Sequence, residues 1–228
     1  MSWDGNCRHL VILGAGGHAK VVVATSLAAG WNCTSLFDDD EAKHGTELLG
    51  IKVVGHLPQS DALEGCWAIL AFGGNVLRQQ VAGRYPSARW ATVVHPSAVI
   101  HDSVVLGEGT VIFAGTVIQP DSQVGRHCII NTAASVDHDC KLGDFVHIAP
   151  GTHLAGGISL GPGVFMGIGT SAIPGVKVGA GAVVGAGAVV VQNLAANVLA
   201  IGIPARPVKN IAKAWQDIDQ AMLPSKRH

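Results

Sequence analysis

The chain has 228 residues, enough for one large domain or two small ones. A formal net charge of −1 and only 14% charged residues argue against a nucleic-acid-binding surface, and 30 glycines suit a tightly wound repeat better than a disordered chain. No apolar run has the length of a signal peptide or a membrane span, and five scattered cysteines indicate reduced thiols, so we expect a cytoplasmic protein.

The first part of the chain alternates apolar runs with helical segments. Residues 9–13 form a first predicted strand, a glycine-rich turn follows, and the alanine- and valine-rich segment 19–29 predicts a helix. Further strands are predicted at 35–37, 51–54 and 67–72, and a second helix at 76–84. This alternation predicts a small, Rossmann-like parallel sheet that binds ligands at the carboxyl ends of its strands. We assign residues 1–92 to this α/β domain.

Two motifs lie at that edge of the predicted sheet. The turn G-A-G-G-H at residues 14–18 resembles one whose backbone N–H groups cradle a phosphate. It does not complete the G-x-G-x-x-G pattern, and a plain tight turn is an equally good interpretation. Asp38 and Asp39 end the second strand, where a carboxylate can bind a ribose or a base edge. A solvated acidic loop is the alternative interpretation.

From residue 94 to residue 190 an apolar residue recurs at every sixth position, and small residues occupy most of the neighbouring positions. Such a fixed short period is typical of a solenoid. It predicts a parallel β-helix of triangular section over residues 93–204, in which residues eighteen apart stack at about 4.8 Å. A β-sandwich would repeat less regularly, every ~8–12 residues. The apolar positions are Val94, Ile100, Leu106, Ile112, Ile118, Val124, Ile130, Val136, Leu142, Ile148, Leu154, Leu160, Met166, Ala172, Val178, Val184 and Val190.

The period breaks at residues 201–207. Ile211, Trp215, Ile218 and Met222 then recur at helical spacing. We therefore expect residues 205–228 to form a C-terminal helix and tail, which would cap the last strands of the solenoid where no further coil covers them.

One hexad of the solenoid contains a candidate catalytic group. His138 should lie near a corner, and an imidazole with an ordinary pKa of about 6.5 suits proton transfer near neutral pH. Asp139 is the carboxylate expected to fix the tautomer of the ring, with Asp137 on the other side as the second choice. Stacking by eighteen residues places Gly156 beside His138, where a backbone N–H would stabilise an oxyanion. A structural role for a lone histidine is the alternative interpretation.

A second histidine lies half a coil away. His147 follows His138 by nine residues, so the two side chains should face different sides of one solenoid. They would approach a common site only across a boundary between subunits. The histidines show no metal-ligand spacing, and we expect no metal.

Several motifs carry a resemblance that covers nearly the whole chain. They are V-I-L-G-A-G-G-H-A-K-V-V at 11–22, F-D-D-D at 37–40, A-F-G-G-N at 71–75, I-N-T-A-A-S-V-D-H-D-C at 130–140 and G-I-P-A-R at 202–206. Together with the hexad ladder they resemble the sialic acid O-acetyltransferase-like family of left-handed β-helix (hexapeptide-repeat) acyltransferases. That family includes bacterial N-acetyltransferases of nucleotide-linked 4-amino-4,6-dideoxy sugars, such as UDP-bacillosamine precursors and GDP-perosamine, which serve glycan biosynthesis.

The resemblance implies roles for individual residues. His138 matches the general base, Asp139 its acidic neighbour, and His147 and Gly156 positions near acetyl-CoA and its thioester oxygen. The remaining matches are Ile168 and Ala186 as main-chain contacts to the pantetheine arm, Gly16, Gly17, His18, Asp38, Asp39 and Gly73 as the pocket for the nucleotide half of the sugar substrate, and Asn131 near the active site.

The activity that the resemblance implies is direct acetyl transfer from acetyl-CoA to the amine of the sugar, in a homotrimer with active sites between neighbouring solenoids. Two alternatives stay open. One is O-acetylation of a free sugar such as sialic acid, and the other is a non-enzymatic hexapeptide-repeat scaffold. The sequence leaves open UDP or GDP as the nucleotide.

Overall fold

The computed structural model describes residues 9–59, 63 and 65–212. A small, mostly parallel sheet comes first and a parallel β-solenoid follows, as the fold class inferred from the sequence predicts. Neither of the two α-helices in the described segments is long and apolar enough to cross a membrane. Most of the predicted C-terminal helix, residues 213–228, lies outside the described residues.

The N-terminal sheet has six strands in the order β3-β4-β2-β1-β5-β6, and its only antiparallel pair within the described residues is β3 with β4. Sequence patterns found the four longer strands and both helices to within a few residues, but missed β3 and β6, because a strand of two residues shows no alternation. The elements are β1 (His9–Leu13), α1 (Gly17–Ala28), β2 (Asn32–Phe37), a 3-10 helix (Glu41–Lys43), β3 (Glu47–Leu48), β4 (Ile51–Gly55), β5 (Trp67–Leu70), α2 (Asn75–Gly83) and β6 (Arg89–Trp90).

Three sheets form the walls of the solenoid, which we call S1, S2 and S3. S1 contains β7 (Val93–Val94), β10 (Val111–Ile112), β13 (Ile129–Ile130), β16 (His147–Ile148), β19 (Phe165–Met166), β22 (Val183–Val184), β24 (Val198–Ile201) and β25 (Arg206–Asn210). S2 contains β8 (Val99–Ile100), β11 (Val117–Ile118), β14 (Ser135–Val136), β17 (His153–Leu154), β20 (Ser171–Ala172) and β23 (Val189–Val190). S3 contains β9 (Val105–Leu106), β12 (Gln123–Val124), β15 (Lys141–Leu142), β18 (Ser159–Leu160) and β21 (Lys177–Val178).

The register of these sheets follows the period of the sequence. Ile130 pairs with Ile148, and Ile148 with Met166, each eighteen residues further along. All three side chains are fully buried in the axial core of the solenoid. The prediction that every third hexad closes one coil is therefore confirmed.

Glycines after the inward residues allow the coils to stack closely. A Cβ built on Gly161 would lie 2.5 Å from the backbone nitrogen of Ala180, and one on Gly143 would lie 2.6 Å from that of Pro162. Because the atoms in the way belong to the backbone of the next coil, they cannot move aside. These positions require glycine for space.

The N-terminal domain packs through helix α1 against the outer side of S1. Val22 and Val23 of α1 share one buried apolar cluster with Val111, Phe113 and Ile129 of the solenoid. The outward side chains of S1 are therefore covered, and His147 on β16 lies beneath the N-terminal part of the chain.

The end of S1 differs from the sequence-based expectation. Residues 206–210, which we assigned to the C-terminal helix and tail, form strand β25 and pair antiparallel with β24. The strand β24 has no further coil to supply partners for its free edge, and the returning chain provides them.

Candidate active site

A corner of the solenoid presents His138 to solvent. The residue follows β14, and 61% of its side chain is exposed. Its Nδ1 lies 2.7 Å from Oδ2 of Asp139, and since a carboxylate only accepts, Nδ1 donates and the neutral ring keeps its lone pair on Nε2. The hydrogen bond to Asp139 raises the pKa of His138, with the charges of Asp137 and Asp139 adding to the effect.

The structure distinguishes between the two aspartates beside His138. Asp137 accepts the main-chain N–H of His138 at 2.8 Å, whereas Asp139 accepts from the ring. Asp139 occupies a left-handed corner with φ of 58° and donates its own N–H to the carbonyl of Pro120. Aspartate tolerates this conformation, and the corner aims its carboxylate at the imidazole.

Gly156 lies against the imidazole of His138, one coil further along. A Cβ built on Gly156 would be 2.5 Å from Nε2 of His138. The neighbouring Gly157 donates its N–H to the carbonyl of His138 at 2.8 Å and ties the two corners together. Within the described segments no acceptor takes the N–H of Gly156. The structure thus brings a ring nitrogen with a free lone pair beside an available backbone donor.

His147 lies in a different environment, buried between S1 and the N-terminal sheet. Its Nδ1 is 3.1 Å from the carbonyl oxygen of Gly73, and its Nε2 is 3.2 Å from Nδ2 of Asn131. Burial, followed by the charge of Arg78 and the proximity of His18, holds the pKa of His147 well below its ordinary value. The ring is therefore neutral near pH 7.

His18 belongs to the same cluster. It lies in the first turn of α1, with its ring centroid 6.1 Å from that of His147, and a Cβ on Gly73 would sit 3.7 Å from its ring. Burial and the charge of Arg78 lower the pKa of His18 to about 4. Its buried Nε2 has no partner among the described residues. Such a nitrogen is suited to hydrogen-bonding a ligand.

The glycine-rich turn leaves room at its outer side. A Cβ on Gly16 or Gly17 would meet no atom within 4 Å, and no side chain caps the N-terminus of α1. Helix N–H groups in that position favour an anion. Gly14, with φ of 110°, is the member of this turn whose conformation requires glycine.

The predicted pocket aspartates already make internal contacts. Oδ2 of Asp38 accepts the N–H of Ala15 at 2.7 Å and lies 2.9 Å from Nζ of Lys43. Burial alone would raise the pKa of Asp38, but the N–H groups of Asp40 and Ala15 and the contact with Lys43 outweigh it, so the pKa is lowered. Asp38 therefore holds the glycine-rich turn against the end of β2.

Asp39 is more exposed than Asp38. It accepts the N–H of Leu57 at 3.0 Å and pairs with Arg84 at 3.2 Å.

The two residues matched to the pantetheine arm lie at the corner between S1 and S2. Ile168 and Ala186 are both exposed, and the carbonyl of Ile168 accepts the N–H of Gly187 at 2.8 Å. Asn131 lies at the same corner, on an earlier coil. His138 lies at the next corner, between S2 and S3. One chain therefore does not bring His138 together with Asn131 and His147.

No group of three or more His, Cys, Asp or Glu side chains in the described part of the chain is placed to hold a metal ion. Sequence reasoning missed Asn75 and Arg78 on α2, which contact the solenoid beside the His18–His147 cluster. Asn75 closes the A-F-G-G-N motif, and the signal for Arg78 was its position three residues later on the same helical face.

Comparison with known families and structures finds a consistent set of relatives. The PglD N-terminal domain family matches residues 9–85. A perosamine N-acetyltransferase from Caulobacter crescentus, solved with CoA and GDP-perosamine, is 42% identical with a TM-score of 0.83, covering 88% of this chain and 97% of that one. No curated protein sequence matches the chain.

Two further solved structures are similar over most of their length. The acetyltransferase domain of PglB from Neisseria gonorrhoeae, in complex with acetyl coenzyme A, is 35% identical with a TM-score of 0.84, covering 89% of this chain and 100% of that one. WeeI from Acinetobacter baumannii is 27% identical with a TM-score of 0.78, covering 87% of this chain and 99% of that one.

Proposed function

Because this chain belongs to the hexapeptide-repeat sugar N-acetyltransferases, we propose that it transfers the acetyl group of acetyl-CoA to the 4-amino group of a nucleotide-linked 4-amino-4,6-dideoxy sugar. The observation that carries the proposal is the corner where Nε2 of His138 lies against Gly156 while Nδ1 is bonded to Asp139. In the proposed mechanism that corner supplies a general base, a residue that orients it and an oxyanion donor.

In the mechanism, the amine nitrogen of the sugar attacks the thioester carbonyl of acetyl-CoA. His138 takes the proton that the nitrogen loses as the new C–N bond forms, and Asp139 stabilises the resulting imidazolium. The N–H of Gly156 donates to the carbonyl oxygen as it gains negative charge. The C–S bond then breaks, the CoA sulfur leaves as a thiolate, and the His138 imidazolium gives its proton back to the thiolate, directly or through solvent. The amide and free CoA are the products.

The nucleotide sugar and acetyl-CoA would bind to two different parts of the chain. The open turn at Gly16 and Gly17, the unpartnered Nε2 of His18 and the backbone around Gly73 would hold the nucleotide sugar. The exposed corner at Ile168 and Ala186 would hold the pantetheine arm through its main chain. The Caulobacter crescentus relative was solved with GDP-perosamine, which makes a GDP-linked sugar the first substrate to test.

The active enzyme we propose is a homotrimer. His138 lies at one corner of the solenoid, whereas His147 and Asn131 lie on S1 and at the corner beside it. A site that uses all three needs the corner of one subunit beside the S1 edge of the next. The enzyme would act in the cytoplasm, where acetyl-CoA and nucleotide sugars are available.

The test is an acetyl-transfer assay with GDP-perosamine, a UDP-linked 4-amino-4,6-dideoxy sugar and free sialic acid as acceptors. We expect transfer to a nucleotide-linked amine and none to sialic acid. His138→Ala should lower kcat more than ~100-fold, the loss expected of a removed general base, and should leave Tm unchanged because the side chain is exposed. Acetylation of the free sugar alone, or full activity of the variant, would contradict the proposal.

A further inference from the structure

A fully buried arginine connects the N-terminal sheet to the solenoid. Arg78 on α2 is only 1% exposed. Its Nε donates to the carbonyl of His127 at 2.8 Å, and Nη2 donates to the carbonyl of Phe145 and to Oδ1 of Asn75, each at 2.9 Å. Nη1 donates to the carbonyls of Phe72 and Gly73 at 3.2 and 3.1 Å. All five N–H groups of the guanidinium are thus used, each with its own acceptor.

The acceptors on the solenoid form a column along one corner. His127, Phe145 and Gly163 are eighteen residues apart and share a left-handed conformation, with φ of 53°, 60° and 69°. None of their carbonyls accepts a backbone N–H within the described segments. Arg78 takes the first two, and Nδ2 of Asn75 takes the third at 2.9 Å. One face of α2 therefore fixes the helix against three successive coils.

The same guanidinium reaches the candidate active site through a shared carbonyl. The oxygen of Gly73 accepts from Nη1 of Arg78 and lies 3.1 Å from Nδ1 of His147. A carbonyl oxygen has two lone pairs and no proton, so Nδ1 of His147 must be its second donor. The neutral ring then carries its lone pair on Nε2, where Nδ2 of Asn131 donates at 3.2 Å.

We propose that Arg78 is a positioning residue that acts through the carbonyl of Gly73. It holds that carbonyl where it selects the Nδ1–H tautomer of His147, and so directs the amide of Asn131. The inference rests on the proposed function in one respect. A fixed His147–Asn131 pair matters for catalysis only if the substrate sugar and the acetyl group bind beside wall S1 of the solenoid.

The surroundings of His147 favour the neutral ring. The charged or titratable groups that face it are Arg78 from α2 and His18 from α1, while Phe165 packs edge-on at 5.0 Å between ring centroids. A positive guanidinium and a buried site both disfavour a second proton on the imidazole. The tautomer should therefore persist as the pH falls below the ordinary pKa of histidine.

The wild-type protein provides the first test. Two-bond 1H–15N spectra of 15N-histidine-labelled protein, with His147 assigned from the His147→Asn variant, report which ring nitrogen carries the proton. We expect a protonated Nδ1 and an unprotonated Nε2 from about pH 8 to about pH 5.5. A proton on Nε2, or titration of His147 within that range, would overturn the proposal. The measurement needs no substrate, so a failure of the proposed function leaves its outcome interpretable.

The second test uses Arg78→Gln, with Asn75→Ala as the matched control. Asn75→Ala removes the bonds to Gly163 and Val164 and the acceptor of one Nη2 proton of Arg78, but it leaves the contact between Arg78 and Gly73. We expect both variants to lower Tm. Only Arg78→Gln should change the His147 spectrum and lower kcat/KM by about 100-fold, as displacement of a positioned group can do. An Arg78→Gln protein with an unchanged His147 spectrum would leave Arg78 a purely structural link and refute the inference.

Discussion

At the scale of single residues, the chemistry depends on how each imidazole is held. The exposed ring of His138 is bonded to a carboxylate, so its pKa is raised and its Nε2 is free to take a proton. The buried ring of His147 is bonded to a carbonyl and an amide and stays neutral. Two identical side chains therefore suit different tasks because their surroundings differ.

The Asp139→Asn variant should show how much the negative charge of Asp139, apart from the shape of its side chain, contributes to the pKa of His138. Asparagine tolerates the left-handed corner but does not stabilise the imidazolium, so the pKa of His138 should fall. Because the proposed mechanism uses His138 as a neutral base, the acid limb of the kcat/KM profile should move to lower pH, and the plateau should drop by about 10- to 100-fold. Asp137→Asn, which alters a main-chain contact, should shift the limb less. An acid limb that stays in place in the Asp139→Asn enzyme would contradict this assignment.

Adding one methyl group at Gly156 should displace the base. Its Cβ would lie 2.5 Å from Nε2 of His138, and the exposed ring can swing away without unfolding the coil. We expect kcat/KM to fall about 100-fold with little change in Tm. In the His138→Ala background the same substitution should have no further effect on rate, and an additive loss in the double variant would refute the explanation.

At the scale of elements, the solenoid combines short strands with close coil stacking. Each S2 or S3 strand has only two residues, so stability comes from stacking of coils rather than from any strand alone. The helix α2 differs, because its polar residues Asn75 and Arg78 bind corner carbonyls that the ladder leaves free. Those bonds orient the pocket residues relative to S1.

The requirement for space between coils can be measured with two glycines. Gly161→Ala would place a Cβ 2.5 Å from the backbone of Ala180, and we expect the free energy of unfolding to fall by about 2–3 kcal/mol or more. Gly83→Ala, at the end of α2 with no atom within 4 Å of the new Cβ, should stabilise by about 0.5–1 kcal/mol. Denaturant unfolding of both variants gives the comparison. Equal stabilities would show that the coils relax around the methyl group.

At the scale of the whole molecule, the candidate catalytic groups are divided between a corner of the solenoid and one of its walls. His138 lies between S2 and S3, and His147 faces the N-terminal sheet from S1. If the proposed site uses both histidines, one chain holds two halves of different sites, and the proposed trimer must place unlike surfaces in contact.

Mixing inactive variants tests this division. His138→Ala and His147→Ala homo-oligomers, unfolded together and refolded at equal amounts, should regain activity. With random assortment, about one quarter of the sites would combine an intact His138 with an intact His147 from the neighbour. Sedimentation should show three chains per particle. Absence of any recovery in verified mixed trimers would show that no active site combines His138 of one subunit with His147 of its neighbour.

The sequence by itself determined the solenoid and its register. A period of six with an apolar residue in every repeat specifies which side chains point inward, and closure after three hexads places Gly156 beside His138. Both follow from local repetition, because each coil contacts its neighbours at a constant separation along the chain.

The tertiary structure alone decided how α2 docks and how the last strand is covered, and it shows the contact by which Asp139, the aspartate preferred from the sequence, holds His138. The choice of Asp139 depends on a corner torsion, and the bonds of Arg78 join residues 49 and 67 positions apart. The strand β25 forms because a free edge is available at the end of S1. The contacts of Arg78 and of β25 do not repeat along the chain, and so no periodic pattern in the sequence predicts them.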